Sequence, residues 1–114
     1  MVKQWDIYWC QLDPGLGNEQ KGLRPVLVVS RNAVNSSLSI VTILPFSSVK
    51  NQDKIYPTEV FLPANATGLD KDSVVMIQQI RTLSQSRLLR KSGSLEDSEY
   101  RQSILASLRE YFDE

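Results

Sequence analysis

Between residues 2 and 12 aromatic and branched side chains alternate with others, Trp5, Ile7 and Trp9 on one face and Asp6, Tyr8 and Cys10 on the opposite one. A period of two predicts a first strand. Asp13, Pro14 and Gly15 end it, and a polar loop bounded by glycines runs on to Gly22. Residues 24–30 follow as a short run that is uncharged after Arg24, the pattern of a strand in the middle of a sheet. Pro25 fixes its own φ and pushes Arg24 into an extended conformation, which predicts a guanidinium held at the mouth of that strand.

Residues 32–37 predict a turn or a single helical turn, because two asparagines and two serines compete with regular structure. Residues 39–46 predict a third strand, with Pro45 near its end suiting an edge or a bulge. A polar, exposed loop is expected over residues 47–56, a fourth strand over 58–62 and a turn region over 63–72. Val74, Val75, Met76, Ile77 and Ile80 predict one continuous fifth strand over 73–83, and Leu88 and Leu89 a short sixth. The period then changes. Tyr100, Ile104, Leu105, Leu108, Tyr111 and Phe112 recur at helical spacing behind a capping serine, Ser94, and a first-turn carboxylate, Asp97. Several short strands and one terminal helix predict a mainly β chain with α, a small and strongly bent antiparallel sheet or barrel closed by a C-terminal amphipathic helix.

A length of 114 residues predicts a single domain spanning 1–114. The 13 basic and 13 acidic side chains balance overall, but residues 1–91 carry 11 basic and 7 acidic and residues 92–114 carry 2 and 6. A mildly basic body with an acidic end offers a weak reason to meet a polyanion. Cys10 is the only cysteine, so no internal disulfide is possible, and a reducing, cytoplasmic setting is expected. With no histidine to activate it, the thiol is expected to pack as a small hydrophobe. No apolar leader or spanning stretch is present in the sequence, so no membrane association is expected.

One cysteine, no histidine and no calcium-type spacing of acidic residues leave no expected metal site or cofactor. Neither the Gly-Lys-Ser/Thr phosphate loop nor the Gly-x-Gly-x-x-Gly fingerprint occurs. What remains is a set of polar residues at strand ends: Glu19, Arg24, Ser47 and the segment Gln79, Ile80, Arg81 and Thr82. Brought together, they combine an acid/base, a fixed cation and a hydroxyl. Phosphodiester cleavage by a neighbouring 2′-hydroxyl needs such groups to take a proton, stabilise the phosphorane and serve the leaving oxygen. Plainer readings stand beside this one: Glu19 solvated or paired with Lys21, Arg24 in a structural ion pair, Ser47 starting a turn, and Arg81 lining a sheet edge.

The order Asp6-Ile7-Tyr8-Trp9, Leu12-Asp13-Pro14, Gly17-Asn18-Glu19-Gln20, Gly22-Leu23-Arg24-Pro25, Pro45-Phe46-Ser47-Ser48 and Gln79-Ile80-Arg81-Thr82-Leu83 resembles the MazF/PemK family of toxin endoribonucleases. The pairing of Gly-x-Glu-Gln with Gly-x-Arg-Pro is its specific part. The resemblance implies an SH3-like, PemK-type barrel and a symmetric homodimer restrained by a cognate MazE-like antitoxin. It also implies metal-independent, sequence-specific cutting of single-stranded RNA to 2′,3′-cyclic phosphate and 5′-hydroxyl ends. By the same resemblance Arg24 is the catalytic arginine, Ser47 the hydroxyl contact to the phosphate and Glu19 a base or RNA contact, with Asn18, Gln20, Lys21, Ser48, Gln79 and Arg81 as substrate-binding residues. The loop 48–56 is expected to help set base choice. Some members place histidine where Asn18 stands and aspartate where Gln78 stands, so a mechanism using those groups does not transfer. The alternative of a different class is a non-catalytic toxin on the same barrel, resembling the CcdB gyrase poisons and acting through the C-terminal helix.

Overall fold

The computed structural model describes residues 1–49 and 54–113. Seven strands form one antiparallel sheet among these residues: β1 (Asp6–Gln11), β2 (Leu23–Val28), β3 (Ile40–Ser48), β4 (Glu59–Leu62), β5 (Ser73–Met76), β6 (Arg81–Ser84) and β7 (Leu88–Ser94). Two short helices, α1 (Asn32–Ser37) and α2 (Ala64–Thr67), lie in the connections, and α3 (Ser98–Phe112) ends the chain. The strand order is β4-β5-β3-β2-β1-β7, with β6 also on β3. The bent sheet is as expected, and it is open: its outer strands β4 and β7 do not pair among the described residues.

The run that reads as a central strand is one. β2 lies between β1 and β3 and buries both faces. Val26 and Val28 join Cys10, Leu12, Val41, Ile43 and Leu83 in one apolar cluster. Leu27 and Val29 point the other way, into a larger cluster with Trp5, Ile7, Leu44, Phe46, Leu62, Val75, Ile77, Leu95 and Ile104. Helix α3 covers this second cluster. Ile104 is fully buried in it, and Tyr100, Leu105 and Leu108 pack around it. Fully burying side chains of this size contributes about 1.5–3 kcal/mol each, so the helix is held by packing.

Strand β3 is where the sheet bends. Its first half, Ile40 to Ile43, pairs with β6, while Phe46, Ser47 and Ser48 pair with β5 on the same edge. The continuous strand expected over 73–83 is therefore broken. Between the pairs Ile43↔Arg81 and Phe46↔Val75 β3 advances three residues and its partner six. A 3-10 turn at Ile77–Gln79 takes up the excess. Pro45 sits at the change of partner, where no N–H is needed on that edge.

Other boundaries also differ from expectation. Helix α3 is capped by Asp97, whose Oδ1 accepts the N–H groups of Glu99 and Tyr100 at 2.9 and 3.2 Å. Ser94 instead ends β7, and its hydroxyl donates to Glu96. Tyr111 and Phe112 leave the core, exposed by 43% and 64%, and Tyr111 borders a shallow concavity with Pro57, Thr58 and Ile77. The short sixth strand at Leu88 and Leu89 is seven residues long, as β7, and α2 interrupts the turn region of 63–72. Trp5 lies in the turn before β1, with φ +77°, and still joins Ile7 in the same buried cluster, while Trp9 on β1 is only partly covered. The exposed loop expected over 47–56 starts later, because Ser47 and Ser48 pair with β5 and extend β3; it is met at Lys54, Ile55 and Tyr56, while residues 50–53 lie outside the described residues.

Candidate functional site

The polar loop between β1 and β2 folds back on itself. Leu12 N–H donates to the Gly22 carbonyl at 2.9 Å, and Gly22 N–H to Asp13 Oδ1 at 2.9 Å. Gly17 and Gly22 take φ of +57° and +79°, a region in which a side chain is strained. Side chains from β6, from the turn before it and from the turn before β7 then fix the loop. Arg81 Nη1 donates to the Leu12 carbonyl at 2.8 Å, and Arg87 Nη1 to that of Asp13 at 2.8 Å. The amide of Gln79 accepts from Gln20 N–H at 3.2 Å and donates to the Asn18 carbonyl at 3.0 Å.

Arg24 is half-buried on β2, its Nε–H donating to the Lys21 carbonyl at 3.1 Å. Among the described residues it forms no ion pair, so the reading of a structural salt bridge is not what holds it. A single backbone acceptor at Nε orients the guanidinium and leaves its remaining donors for another anion. Glu19 is not paired with Lys21 either. Its Oε1 accepts the Leu16 N–H at 2.8 Å within the exposed loop tip.

Two clefts open on opposite sides of β3, as the alternation of Pro45 and Phe46 requires. The first, about 500 Å³, is lined by Arg24, Lys21, Ser48, Asp70, Lys71 and Ser73 over an apolar floor that includes Trp9, Leu23, Pro25, Phe46 and Leu69. Three cations to one carboxylate beside an aromatic ring suit a single-stranded polyanion, whose bases stack and whose phosphates need charge. The second, about 270 Å³, gathers Glu19, Gln20, Gln78, Gln79 and Arg81 with Leu12, Pro45 and Ile80. Ser47 lines a third concavity, about 300 Å³, with Ser48, Val49, Lys54, Tyr56, Glu59 and Val74.

The residues singled out in the sequence are thus divided. Arg24, Lys21 and Ser48 meet in the first cleft; Glu19, Gln20, Gln79 and Arg81 meet in the second; Ser47 lies in neither. Asn18 takes part through its backbone carbonyl. Trp9, Asp70 and Lys71 had no local signal as site residues. Only the strand register and the turn after α2 bring them to Arg24, although Trp9 directly opposite Pro25 is the pairing a hairpin across Gly15 to Gly22 produces.

The fold is a small bent sheet closed by one helix, with a basic cleft at the β2–β3 end. The chain belongs to the PemK-like, MazF-like toxins of type II toxin-antitoxin systems, whose family pattern matches residues 3–112. It is 37% identical over 97 residues to Endoribonuclease EndoA of Bacillus subtilis, covering 85% of this chain and 83% of that one. It is 35% identical over 102 residues to Endoribonuclease MazF of Staphylococcus saprophyticus, covering 90% and 84%. The crystal structure of MazF from Deinococcus radiodurans superposes with a TM-score of 0.80 at 27% identity, covering 96% of this chain and 94% of that one. A MazE–MazF complex from the same organism shares the fold with a TM-score of 0.73 at 24% identity. The family expected from the motifs is the family found, and it is one of endoribonuclease toxins.

Proposed function

We propose that this protein is a sequence-specific endoribonuclease toxin that cuts single-stranded RNA without a metal ion, with residues 1–114 as one toxin domain. It works as a homodimer in the cytoplasm and is restrained by a MazE-like antitoxin. The family match supports the class, and one observation supports the site: Arg24 and Ser48 share a basic cleft, and Arg24 is oriented there by the Lys21 carbonyl.

The chemistry follows from those two groups. The 2′-oxygen of a ribose attacks its own 3′-phosphorus, the bond to the 5′-oxygen breaks, and the products are a 2′,3′-cyclic phosphate and a 5′-hydroxyl. Charge grows on the phosphoryl oxygens in the transition state, where the fork of Arg24 donates to two of them at once. A proton leaves the 2′-hydroxyl and one reaches the 5′-oxygen. The Ser48 hydroxyl both accepts and donates, so it takes the proton of the 2′-hydroxyl and passes its own to the 5′-oxygen, while the guanidinium of Arg24, which has no acceptor, holds the phosphoryl charge. Glu19, Gln20 and Gln78 face the second cleft, where they meet flanking nucleotides, and Lys21 and Lys71 carry phosphates past the reacting one.

The test is cleavage of an RNA pool by the purified protein and by Arg24→Ala. The expected result is loss of cutting by at least about 100-fold with the folded spectrum retained. A wild-type protein that cuts no RNA, or an Arg24→Ala variant that stays equally toxic in cells, overturns the proposal. The second of these outcomes favours the non-catalytic, CcdB-like alternative.

A further inference from the structure

The break between β5 and β6 aims one side chain away from the sheet. Gln79 closes the 3-10 turn at Ile77–Gln79, and both ends of its amide are used on the loop that precedes β2. Its Oε1 accepts from Gln20 N–H at 3.2 Å and its Nε2 donates to the Asn18 carbonyl at 3.0 Å, across 59 and 61 residues of sequence. Two bonds from one planar amide hold the Asn18 and Gln20 peptides at a fixed spacing, as a neighbouring strand would. One residue further along the loop, the Lys21 carbonyl is the acceptor that orients Arg24 Nε at 3.1 Å. The side-chain oxygen of Gln20 is buried without a hydrogen-bond partner. An orphaned acceptor favours a different loop conformation, so something must hold the loop in this one.

We propose that Gln79 is a positioning residue for Arg24. It clamps the loop from behind so that the Lys21 carbonyl, and through it the guanidinium, stays at the cleft. Gln79 therefore serves the transition state rather than RNA binding, in place of the substrate contact the sequence suggests. Arg81 supports the same clamp at the loop's entrance through the Leu12 carbonyl at 2.8 Å. The inference rests on the RNA-cleaving reading above. A guanidinium that drifts by an ångström keeps its charge in the cleft and loses its alignment with the phosphorane, so kcat falls while substrate affinity holds.

The experiment is a double-mutant cycle on a short RNA carrying the preferred cut site, using Gln79→Met and Arg24→Lys. Lysine keeps the charge and has no Nε–H to bond the Lys21 carbonyl, so it uncouples the cation from the loop. Gln79→Met is expected to lower kcat about tenfold with KM within about twofold and with the cut-site preference unchanged. In the Arg24→Lys background the same change is expected to cost less than about twofold, because the link it acts through is gone. Gln79→Glu keeps the acceptor for Gln20 N–H and loses the donor to Asn18, and is expected to fall between wild type and Gln79→Met.

A raised KM with unchanged kcat, or a changed base preference at one position of the site, overturns the proposal in favour of direct RNA contact. Losses that multiply in the double mutant overturn the coupling to Arg24. A lowered melting temperature with unchanged kcat overturns it in favour of a merely structural role. Wild-type protein that cuts nothing is a failure of the function reading instead, and amide exchange then still decides the clamp. Gln20 N–H is expected to exchange at least tenfold faster in Gln79→Met than in wild type, and equal rates overturn it.

Discussion

Arg24 and Ser48 line one cleft from the neighbouring strands β2 and β3, while Ser47, one position earlier on β3, opens into a different concavity. Both serines border that concavity, but of the two only Ser48 also lines the cleft that holds Arg24, so its hydroxyl is the one set to serve the cation. Ser48→Ala is therefore expected to lower kcat for RNA cleavage by about 10–100-fold, and Ser47→Ala by less than about threefold. Neither change removes a buried partner, so both variants are expected to keep the wild-type melting temperature within a few degrees. Initial rates on a defined RNA decide the matter. A larger loss in Ser47→Ala puts the hydroxyl on the other face of β3.

A second expectation concerns Gly15. A methyl group there meets Lys21 Cβ at 2.8 Å and the Gln20 carbonyl oxygen at 3.1 Å, so the two limbs of the loop must part. The Lys21 carbonyl that orients Arg24 lies on the limb that moves. Gly15→Ala is expected to lower kcat about tenfold while changing stability by less than about 1 kcal/mol, since the loop is exposed and buries little. Urea unfolding alongside initial rates separates the two effects. An unchanged kcat removes the loop from the mechanism.

Much of this architecture was legible because local pattern and tertiary use agree. The run Val26 to Val29 reads as a buried central strand and is one, since every residue in it is apolar and both faces of β2 are covered. The buried face of the helix is legible for the same reason from Tyr100 to Leu108, and fails at Tyr111 and Phe112, where the spacing continues but the side chains are exposed. The break at Ile77–Gln79 was hidden because the apolar, β-compatible run Val74 to Ile77 leads into it and Ile80 follows it. It is set by the change of partner along β3, a fact of register that no window of sequence contains. The same limit divided the site. Glu19, Arg24, Ser47 and Gln79 were each singled out by type and position, but which of them share a cleft is decided by the strand register and the turns between strands.

Asn35 offers a test of the scaffold behind β2. It is 3% exposed, accepts the Ser30 hydroxyl at 2.6 Å, donates to the Ser30 carbonyl at 2.8 Å, and its own carbonyl accepts from Gln85 Nε2 at 2.8 Å. Ser30 Oγ in turn accepts Thr42 N–H at 3.0 Å, so one amide ties α1 to the end of β2 and to β3. Asn35→Ala leaves the Ser30 carbonyl without that donor in a buried setting, which costs about 2–3 kcal/mol. The measurement is the urea midpoint with the slope unchanged. A loss below about 0.5 kcal/mol contradicts the hub.

The last expectation is a pH dependence seated in Cys10. The thiol is fully buried in the cluster with Leu12, Val26, Val28 and Ile43, and burial pushes its pKa up, against a smaller opposite pull from Arg87 and Arg81. In the unfolded chain the thiol ionises at about pH 8.5. Below that value both states hold the proton and the thiol's contribution to stability is at its full value. As the pH rises past it the unfolded state loses the proton first, so stability falls until the folded thiol ionises as well, by at most about 1.4 kcal/mol per pH unit. Tyr8, raised first by burial and then by Asp6, adds a decline of the same sign above about pH 10. Cys10→Ala is expected to lose about 1 kcal/mol at pH 7 for its small cavity and to show a flatter decline between pH 8 and 10. The stability gap between wild type and variant should therefore narrow as pH rises. A gap that stays constant to pH 10 shows that the thiol titrates in the fold as it does in the open chain, and rules out the buried thiol as the source of the alkaline slope.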